Sequence, residues 1–172
     1  MERARLEEEL VLHHEDAWGW ALSCCLWDRE SAGEVLQDAY LRILEGRARF
    51  ARGSSFRTWL FGVIRVVALE HRREHARRAA MLERFGAGGA PDPSSRSMPA
   101  ERAEAAERAG RLRDALAQLP ERQREVLHLV FYQGMTIARA AEVMGVGVGT
   151  ARTHYTRGKR ALRTALAALW EA

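Results

Sequence analysis

The sequence predicts an all-α protein built from two small helical modules that are joined by a flexible linker. Apolar residues make up 47% of its 172 residues, which suffices for one domain or two small ones with modest cores. Apolar side chains recur at helical spacing, without the period-2 alternation of strands. The stretch 86–95, rich in glycine, proline and serine, interrupts this pattern and separates two modules.

Three helices are predicted in the first module. The first spans about 6–27. The second begins at Ser31, where Glu34 three residues later completes a capping box. The third starts near 54–55, after a basic loop, and continues into an arginine-rich end. Trp59 lies on the apolar stripe of this third helix, so we expect it to pack in the core.

The boundaries follow from composition and charge. The first module is assigned to residues 1–82 and the second to 109–172, with a linker at 83–108 that is flexible at 86–98. Helix resumes near residue 100, before the second module begins. No internal repeat is present.

The second module contains a helix-turn-helix pattern. Pro120 suits the first position of a helix, where a missing N–H costs nothing. Gly134 fits the end of that helix, and Thr136 can cap the next one. Ala141 is small where two helices must approach closely, and Gly145 permits the sharp turn four residues later. This spacing is typical of DNA-binding modules, although plain helical packing units share parts of it.

A long basic helix follows, opening at Thr150 with no acidic residue before Glu171. Its basic residues are Arg152, Arg157, Lys159, Arg160 and Arg163. Its inward stripe consists of Tyr155, Leu162, Leu166 and Leu169. The N-terminal end carries the positive pole of the helix together with hydroxyls and arginines, which suits phosphates and base edges in a major groove.

Charge is distributed unevenly, which the overall net charge of +4 conceals. Residues 1–46 hold four basic and eleven acidic residues, whereas 47–82 hold nine and two. Residues 109–172 hold ten basic and five acidic residues. One acidic and two basic surfaces suggest several partners, two of them nucleic acid. Any one block alone would be explained better by ordinary solvated helix faces.

The cysteines and the N-terminus favour a cytoplasmic protein. Cys24 and Cys25 are adjacent, so a disulfide between them would be strained, and we expect two buried thiols. The charged start of the chain is unlike a signal peptide. The uncharged stretch 17–27 is too short to span a membrane, and direct membrane insertion is not expected.

No catalytic or metal site is expected. His71 and His75 have the i, i+4 spacing that can bind a metal, but the sequence shows no third ligand near them. His13 and His14 are adjacent and do not share a helix face. The chain shows no Ser-His-Asp set, carboxylate pair or phosphate loop, so neither enzymatic activity nor a cofactor is predicted.

These motifs together resemble the extracytoplasmic-function (ECF, group 4) sigma factors of the bacterial sigma-70 family. The segment 32–41 resembles region 2.2, and 56–61 resembles the start of regions 2.3 and 2.4. The segment that begins with Leu119 and Pro120 resembles region 4.1, and 145–160 resembles region 4.2. The ordered pair of modules with a short linker is far more specific than any single motif.

The resemblance implies a promoter-specificity subunit of RNA polymerase that binds core polymerase and promoter DNA, usually under the control of an anti-sigma factor. Core polymerase would contribute the coiled coil of its largest subunit and its flap region, and charge complementarity would orient the docking. The residues implied for core binding are Glu34, Gln37, Asp38, Leu41 and Arg42.

The resemblance also implies two DNA surfaces. The residues implied for the −10 element are Ser54, Ser55, Arg57, Arg65, Val66, Glu70, Arg72 and Arg73. The residues implied for the −35 element are Arg122, Arg124, Thr150, Arg152, Thr153, His154, Arg157 and Arg160. Arginines would hold phosphates, and the loop 53–55 is the candidate to hold a flipped base.

The sequence departs from the family pattern at several positions. Val66 stands where the family often has Asn, and Glu70 where it often has Asp. Ala140 and Ala151 replace bulkier aliphatic residues of the helix-turn-helix, and His154 stands where arginine is common. Two alternatives remain open: a conventional helix-turn-helix regulator, and a sigma-like decoy that binds partners without supporting transcription.

Overall fold

The computed structural model describes residues 3–51, 53–84 and 100–170. All regular structure within these ranges is helical, which confirms the all-α prediction. The elements are α1 (Arg3–Leu12), α2 (His14–Cys24), α3 (Arg29–Leu44), α4 (Phe56–Arg84), α5 (Ala100–Ala117), α6 (Glu121–Leu127), a π-helical turn (His128–Tyr132), α7 (Ile137–Met144) and α8 (Val148–Trp170).

The N-terminal module packs α2, α3 and α4 around a dense apolar centre, with α1 along one side. Trp20 is fully buried and stacks on Phe61 with ring centroids 5.9 Å apart. Its indole N–H donates to the Phe61 carbonyl at 2.9 Å, so the one polar atom of this large side chain is satisfied inside the core. Trp59 is half-buried against Phe50 and Phe56, as its place on the apolar stripe predicts.

The predicted extent of the first helix and the predicted start of the second are wrong. The helix expected over 6–27 is interrupted at His13, which has φ −102° and ψ 10°, and α2 ends at Cys24 because Leu26 and Trp27 adopt positive φ. The second helix begins before Ser31. Asp28 is its N-cap, since its carboxylate accepts from two backbone N–H groups, those of Glu30 and Ser31.

The turn chemistry of the C-terminal module is confirmed. The Thr136 hydroxyl accepts from the Arg139 N–H at 3.2 Å and caps α7. Gly134 and Gly145 have φ of 63° and 64°, the left-handed conformation that glycine adopts without steric cost. Pro120 lies one residue earlier than predicted, at the N-cap of α6. The helix continues past Leu127 as the π-helical turn.

The two modules share a continuous buried core, which the sequence did not predict. α4 packs against α7, and α2 against the π-helical turn. Val126, Leu129 and Met144 of the C-terminal module belong to the same apolar cluster as Trp20 and Phe61. The linker segment expected to be flexible, 86–98, lies outside the described residues.

Candidate nucleic-acid and polymerase interfaces

The outer face of α8 is basic and exposed. Thr150, Arg152, Arg157 and Arg160 are all exposed, and these arginines form no ion pair with the residues that the structure describes. The Thr153 hydroxyl donates to the Gly149 carbonyl at 3.0 Å, so its proton is engaged by the backbone of the same helix. This face therefore offers guanidinium groups that have no ion-pair partner among the described residues, over residues 152–160 of α8.

The inner face of α8 is held close to α6. Gly158 lies at the crossing, where an added Cβ would be 3.1 Å from the Gln123 Cβ and 3.2 Å from the Leu127 Cδ1. Tyr155 stacks on Phe131 at 5.7 Å, and the Lys159 ammonium lies 4.6 Å from the Tyr155 ring centre. These contacts fix the orientation of the basic face relative to the rest of the module.

Two further arginines of the expected −35 set are engaged internally. Arg122 donates to the Met144 carbonyl at 2.8 Å, which satisfies a backbone acceptor at the end of α7. Arg124 is buried and donates to the Leu119 carbonyl at 3.1 Å. Burial, aided by the charge of Arg72, lowers the pKa of Arg124. Arg124 is thus withdrawn from solvent, whereas the Arg122 side chain remains 39% exposed although it bonds the end of α7.

A cleft of about 520 Å³ lies between the expected −10 surface and α7. Ser54, Trp59 and Val66 line it from the N-terminal module, and Glu142 and Val143 line it from the C-terminal module. Val66 is 49% exposed. The C-terminal module thus covers part of the surface that the resemblance assigns to the −10 element.

Arg57 makes three hydrogen bonds, two of which connect the N-terminal module to the C-terminal module. Its Nε donates to the Asp16 carboxylate at 2.8 Å. Its two Nη atoms donate to the Gln133 backbone carbonyl at 3.0 Å and side-chain Oε1 at 2.6 Å. The Gln133 amide in turn donates to the Asp16 carbonyl at 3.2 Å. This bonding uses the guanidinium that the resemblance assigns to phosphate.

Two ion pairs reinforce the same interface. The Arg65 Nε lies 2.7 Å from a Glu125 carboxylate oxygen, and these side chains are only 8% and 6% exposed. Burial raises the pKa of Glu125, while the charge and hydrogen bond of Arg65 oppose that rise. Arg72 of α4 pairs with Glu121 of α6. Arg57, Arg65 and Arg72 all bind the C-terminal module in this arrangement.

The remaining members of the expected −10 set lie on or near the surface. Arg73 is exposed, and Glu70 pairs with Arg42 at 2.6 Å. The Ser55 hydroxyl accepts from the Thr58 N–H at 3.2 Å, so it caps the start of α4. Of the expected −10 set, Ser54, Arg65 and Val66 line the cleft against α7, whereas Ser55, Glu70 and Arg73 do not.

The expected polymerase-binding residues lie along one side of α3. Glu34, Gln37 and Leu41 are exposed. Asp38 and Arg42 form a two-pronged ion pair, with bonds of 3.1 and 2.7 Å. Because Arg42 also binds Glu70, its charge is compensated twice, and the net character of this side of α3 remains acidic.

Cys24 and Cys25 are buried free thiols, as expected from their place in a helix. Burial raises the pKa of Cys25 to about 11 and that of Cys24 well above its ordinary value. Both thiols are therefore protonated at neutral pH and poor nucleophiles.

No helix in the described ranges is long and apolar enough to cross a membrane.

Sequence reasoning missed the acceptors that engage the arginines of α4. Asp16, Glu121, Glu125 and Gln133 lie 41 to 76 residues from their arginine partners. No local pattern identifies such pairs. The sequence indicates such pairs only through arginine and glutamate residues at helix positions that the apolar pattern places inside, where charged residues are rare.

The comparisons with known proteins agree with the motifs. Residues 10–78 match the family model for Sigma-70 region 2, and residues 109–162 match that for Sigma-70 region 4. The chain is 33% identical over 158 residues to the ECF RNA polymerase sigma factor SigC of Mycobacterium tuberculosis (strain CDC 1551 / Oshkosh), covering 91% of this chain and 80% of that protein. It is 28% identical to the ECF sigma factor SigX of Bacillus subtilis (strain 168), over 88% and 78% of the two chains.

Solved structures share the fold. The sigma factor RpoE of Bartonella quintana, solved in complex with the anti-sigma factor NepR, superposes with a TM-score of 0.72 at 22% identity, over 93% of this chain and 95% of that one. CnrH, solved with the cytosolic domain of CnrY, gives a TM-score of 0.63 at 23% identity, over 97% and 90%. By its two matched regions and its identity to these relatives over most of their length, the chain belongs to the ECF RNA polymerase sigma factors.

Proposed function

We propose that this protein recruits core RNA polymerase to a defined set of promoters, acting in the cytoplasm without catalysing a reaction itself. The observation that carries the proposal is the basic face of α8, where Arg152, Arg157 and Arg160 are exposed without ion-pair partners among the described residues. Free guanidinium groups on a helix that follows a capped turn suit phosphates and base edges of a −35 element.

We assign polymerase binding to the acidic side of α3. Glu34 and Gln37 are exposed there, and Asp38 is half-buried beside them. A basic coiled coil of the polymerase would find an acidic surface that is already rigid, because Arg42 holds Asp38 in place. Complementary charge accelerates and orients such docking.

Binding of the −10 element requires the two modules to separate. Arg57, Arg65 and Arg72 are the arginines of α4 best placed to hold a displaced strand, and each is bonded to the C-terminal module. The arrangement described above is therefore the resting form, and the form bound to polymerase is open. An anti-sigma factor would favour the closed form by binding both modules at once.

A reconstituted transcription reaction tests the proposal. The purified chain is added to core polymerase over fragmented genomic DNA, and the transcripts are sequenced. We expect discrete start sites that share upstream elements. Tight binding to core polymerase without transcripts would instead identify a decoy. Binding to duplex DNA without any affinity for core polymerase would identify a conventional regulator.

Opening is tested with a cross-link across the cleft. Arg47 and Glu142 line opposite sides of it and are exposed, so an Arg47→Cys/Glu142→Cys variant can be joined by a short bismaleimide. The cross-linked protein is expected to lose transcription, while the unlinked double variant and each single variant keep it. Full transcription by the cross-linked protein would show that the modules need not separate.

A pull-down from native cells tests the inhibitor. We expect a dedicated protein to be recovered with the chain in uninduced cells and to be displaced by core polymerase. Recovery of polymerase alone under all conditions would contradict control by an anti-sigma factor.

A further inference from the structure

A cluster of three metal-ligating side chains joins α3 to α4, away from the interface between the modules. Glu34 lies on α3, and His71 and His75 lie one helical turn apart on α4. One ligand atom from each residue falls within 4.8 Å of the other two. The Glu34 carboxylate lies 2.8 Å from the His71 Nε2, and the two imidazole rings are 4.4 Å apart.

The packing of α3 against α4 brings the three groups together. Histidines at i and i+4 of a helix share one face, an arrangement that zinc proteins use. Glu34 is supplied by a different helix, 37 residues earlier in the chain, so the site depends on the packing of α3 against α4. His71 is half-buried, and Glu34 and His75 are exposed, which leaves room for water.

The surrounding charges favour a cation. Arg42 of α3 and Arg72 and Arg78 of α4 are each paired with an acidic residue. A second carboxylate, Asp28, lies near His71. The charges of Asp28 and His71 are close enough to interact. A dication here would not face an unpaired guanidinium from these three residues.

We propose that Glu34, His71 and His75 form a zinc site with water in the fourth position. Two imidazole nitrogens and one carboxylate oxygen are a ligand set that Zn²⁺ adopts with an open position for water. Zinc ligands around a tetrahedral centre lie roughly 3–3.5 Å apart, so the observed separations require only small side-chain rotations. The sequence did not suggest this site because the third ligand is remote in the chain.

The site has a consequence that rests on the proposed function. Glu34 is also assigned to the polymerase-binding side of α3. A carboxylate that coordinates zinc has less negative charge to offer to a basic partner, and the metal adds positive charge at that surface. Zinc binding and polymerase docking are therefore expected to oppose each other.

Zinc binding is measured directly on the full chain after metal is removed with a chelator. Isothermal titration at neutral pH is expected to give one zinc per chain. His71→Asn, His75→Asn and Glu34→Gln should each weaken binding by about tenfold or more. His14→Asn, which changes a histidine outside the cluster, should not. Circular dichroism verifies that each variant retains its helices.

Cobalt supplies a second readout of the ligand set. Co²⁺ bound by nitrogen and oxygen gives visible d–d bands without a sulfur-to-metal charge-transfer band, and the His71→Asn/His75→Asn variant should lose these bands. Undiminished zinc affinity in that variant, or a thiolate band that disappears in Cys24→Ser, would overturn the site. Neither result depends on whether the protein binds polymerase.

The coupling is tested by measuring core polymerase affinity with and without zinc. We expect zinc to weaken docking of the native chain several-fold and to have no effect on the His71→Asn/His75→Asn variant. Equal effects of zinc on both proteins would refute the coupling. Failure of the metal-free native chain to bind core polymerase would refute the proposed function and leave the zinc titration unaffected.

Discussion

The guanidinium of Arg65 and the carboxylate of Glu125 lie 2.7 Å apart in the interface between the two modules, and less than a tenth of either side chain is exposed. Such a buried pair contributes more to fixing how the two modules pack than to the net free energy of unfolding. The cost of removing the two charges from water offsets much of their attraction. It is the deepest polar contact between α4 and α6.

Removing one member of this pair should destabilise the folded protein strongly. Glu125→Ala leaves the charge of Arg65 buried without its partner, and we expect a loss of about 3–5 kcal/mol in the free energy of unfolding. Urea denaturation measures it. The control is Arg65→Met/Glu125→Leu, which removes both charges and should recover most of the loss. A double variant no more stable than Glu125→Ala would show that the pair itself is net stabilising.

Acid should destabilise the protein through His128. Burial lowers the pKa of His128 to about 4, whereas an unfolded histidine titrates near 6.5. Between these values the unfolded state binds a proton that the folded state does not, so stability falls as pH falls from about 6.5 to 4, by up to about 3 kcal/mol. Because His128 packs 5.4 Å from Trp20 across the interface, this loss also loosens the contact between modules.

The contribution of His128 is isolated with His128→Phe, which keeps an aromatic ring against Trp20 and cannot titrate. Urea denaturation at several pH values should give a shallower loss of stability for the variant than for the native chain. Parallel curves for the two proteins would assign the acid sensitivity to other groups.

The −35 contact is tested at Arg152. We expect Arg152→Ala to weaken binding to the preferred promoter by about 1–3 kcal/mol and to relax specificity at one base position. Arg163→Ala is the matched control, because Arg163 is exposed on the same helix but nearer its C-terminal end. Run-off transcription from a set of promoter variants measures both effects. An unchanged promoter preference would remove Arg152 from the recognition set.

Polymerase binding is tested by charge reversal on α3. Asp38→Arg is expected to reduce affinity for core polymerase at least tenfold, since it replaces an acidic contact and releases Arg42. Glu8→Arg provides the comparison, because it reverses an exposed charge on α1 instead. Biolayer interferometry gives the affinities, and circular dichroism verifies the fold. Equal affinities for the two variants would contradict the assignment to α3.

The crossing of α6 and α8 makes a steric prediction. Gly158→Ala places a methyl group within 3.3 Å of Gln123 and Leu127, and such overpacking costs about 1–3 kcal/mol. Gly149→Ala meets no atom within 4 Å and should be neutral or slightly stabilising. Thermal unfolding compares the two. Equal melting temperatures would show that α8 shifts without cost.

Local chemistry made most of the helical pattern predictable. Thr136 and Gly145 determine the conformation of residues close to them in the chain, so their spacing alone identifies the turns. The start of the second helix was misplaced because Ser31 and Asp28 are both competent caps, and only the backbone conformation distinguishes them. The break at His13 has no glycine or proline to signal it.

The arrangement of the modules could not be predicted, because it depends on partners remote in sequence. Arg57, Arg65 and Arg72 have the same charge whether they bind DNA or another helix. Only the structure reveals that Gln133, Glu125 and Glu121 accept from them. The same limitation concealed Glu34 as a neighbour of His71. Charge patterns predict where anions bind, but not which anion is present.

The arginines of α8 are exposed, whereas those of α4 are covered by the C-terminal module. This difference affects how the chain meets double-stranded DNA and single-stranded RNA. A basic protein in a cell meets a large excess of RNA, and exposed arginines beside aromatic rings would be captured by single strands of any sequence. In the proposed function, the arginines assigned to a single strand are bonded to the C-terminal module, while those assigned to a duplex remain exposed. On these proposed assignments, we expect the resting protein to search double-stranded DNA without being titrated by transcripts.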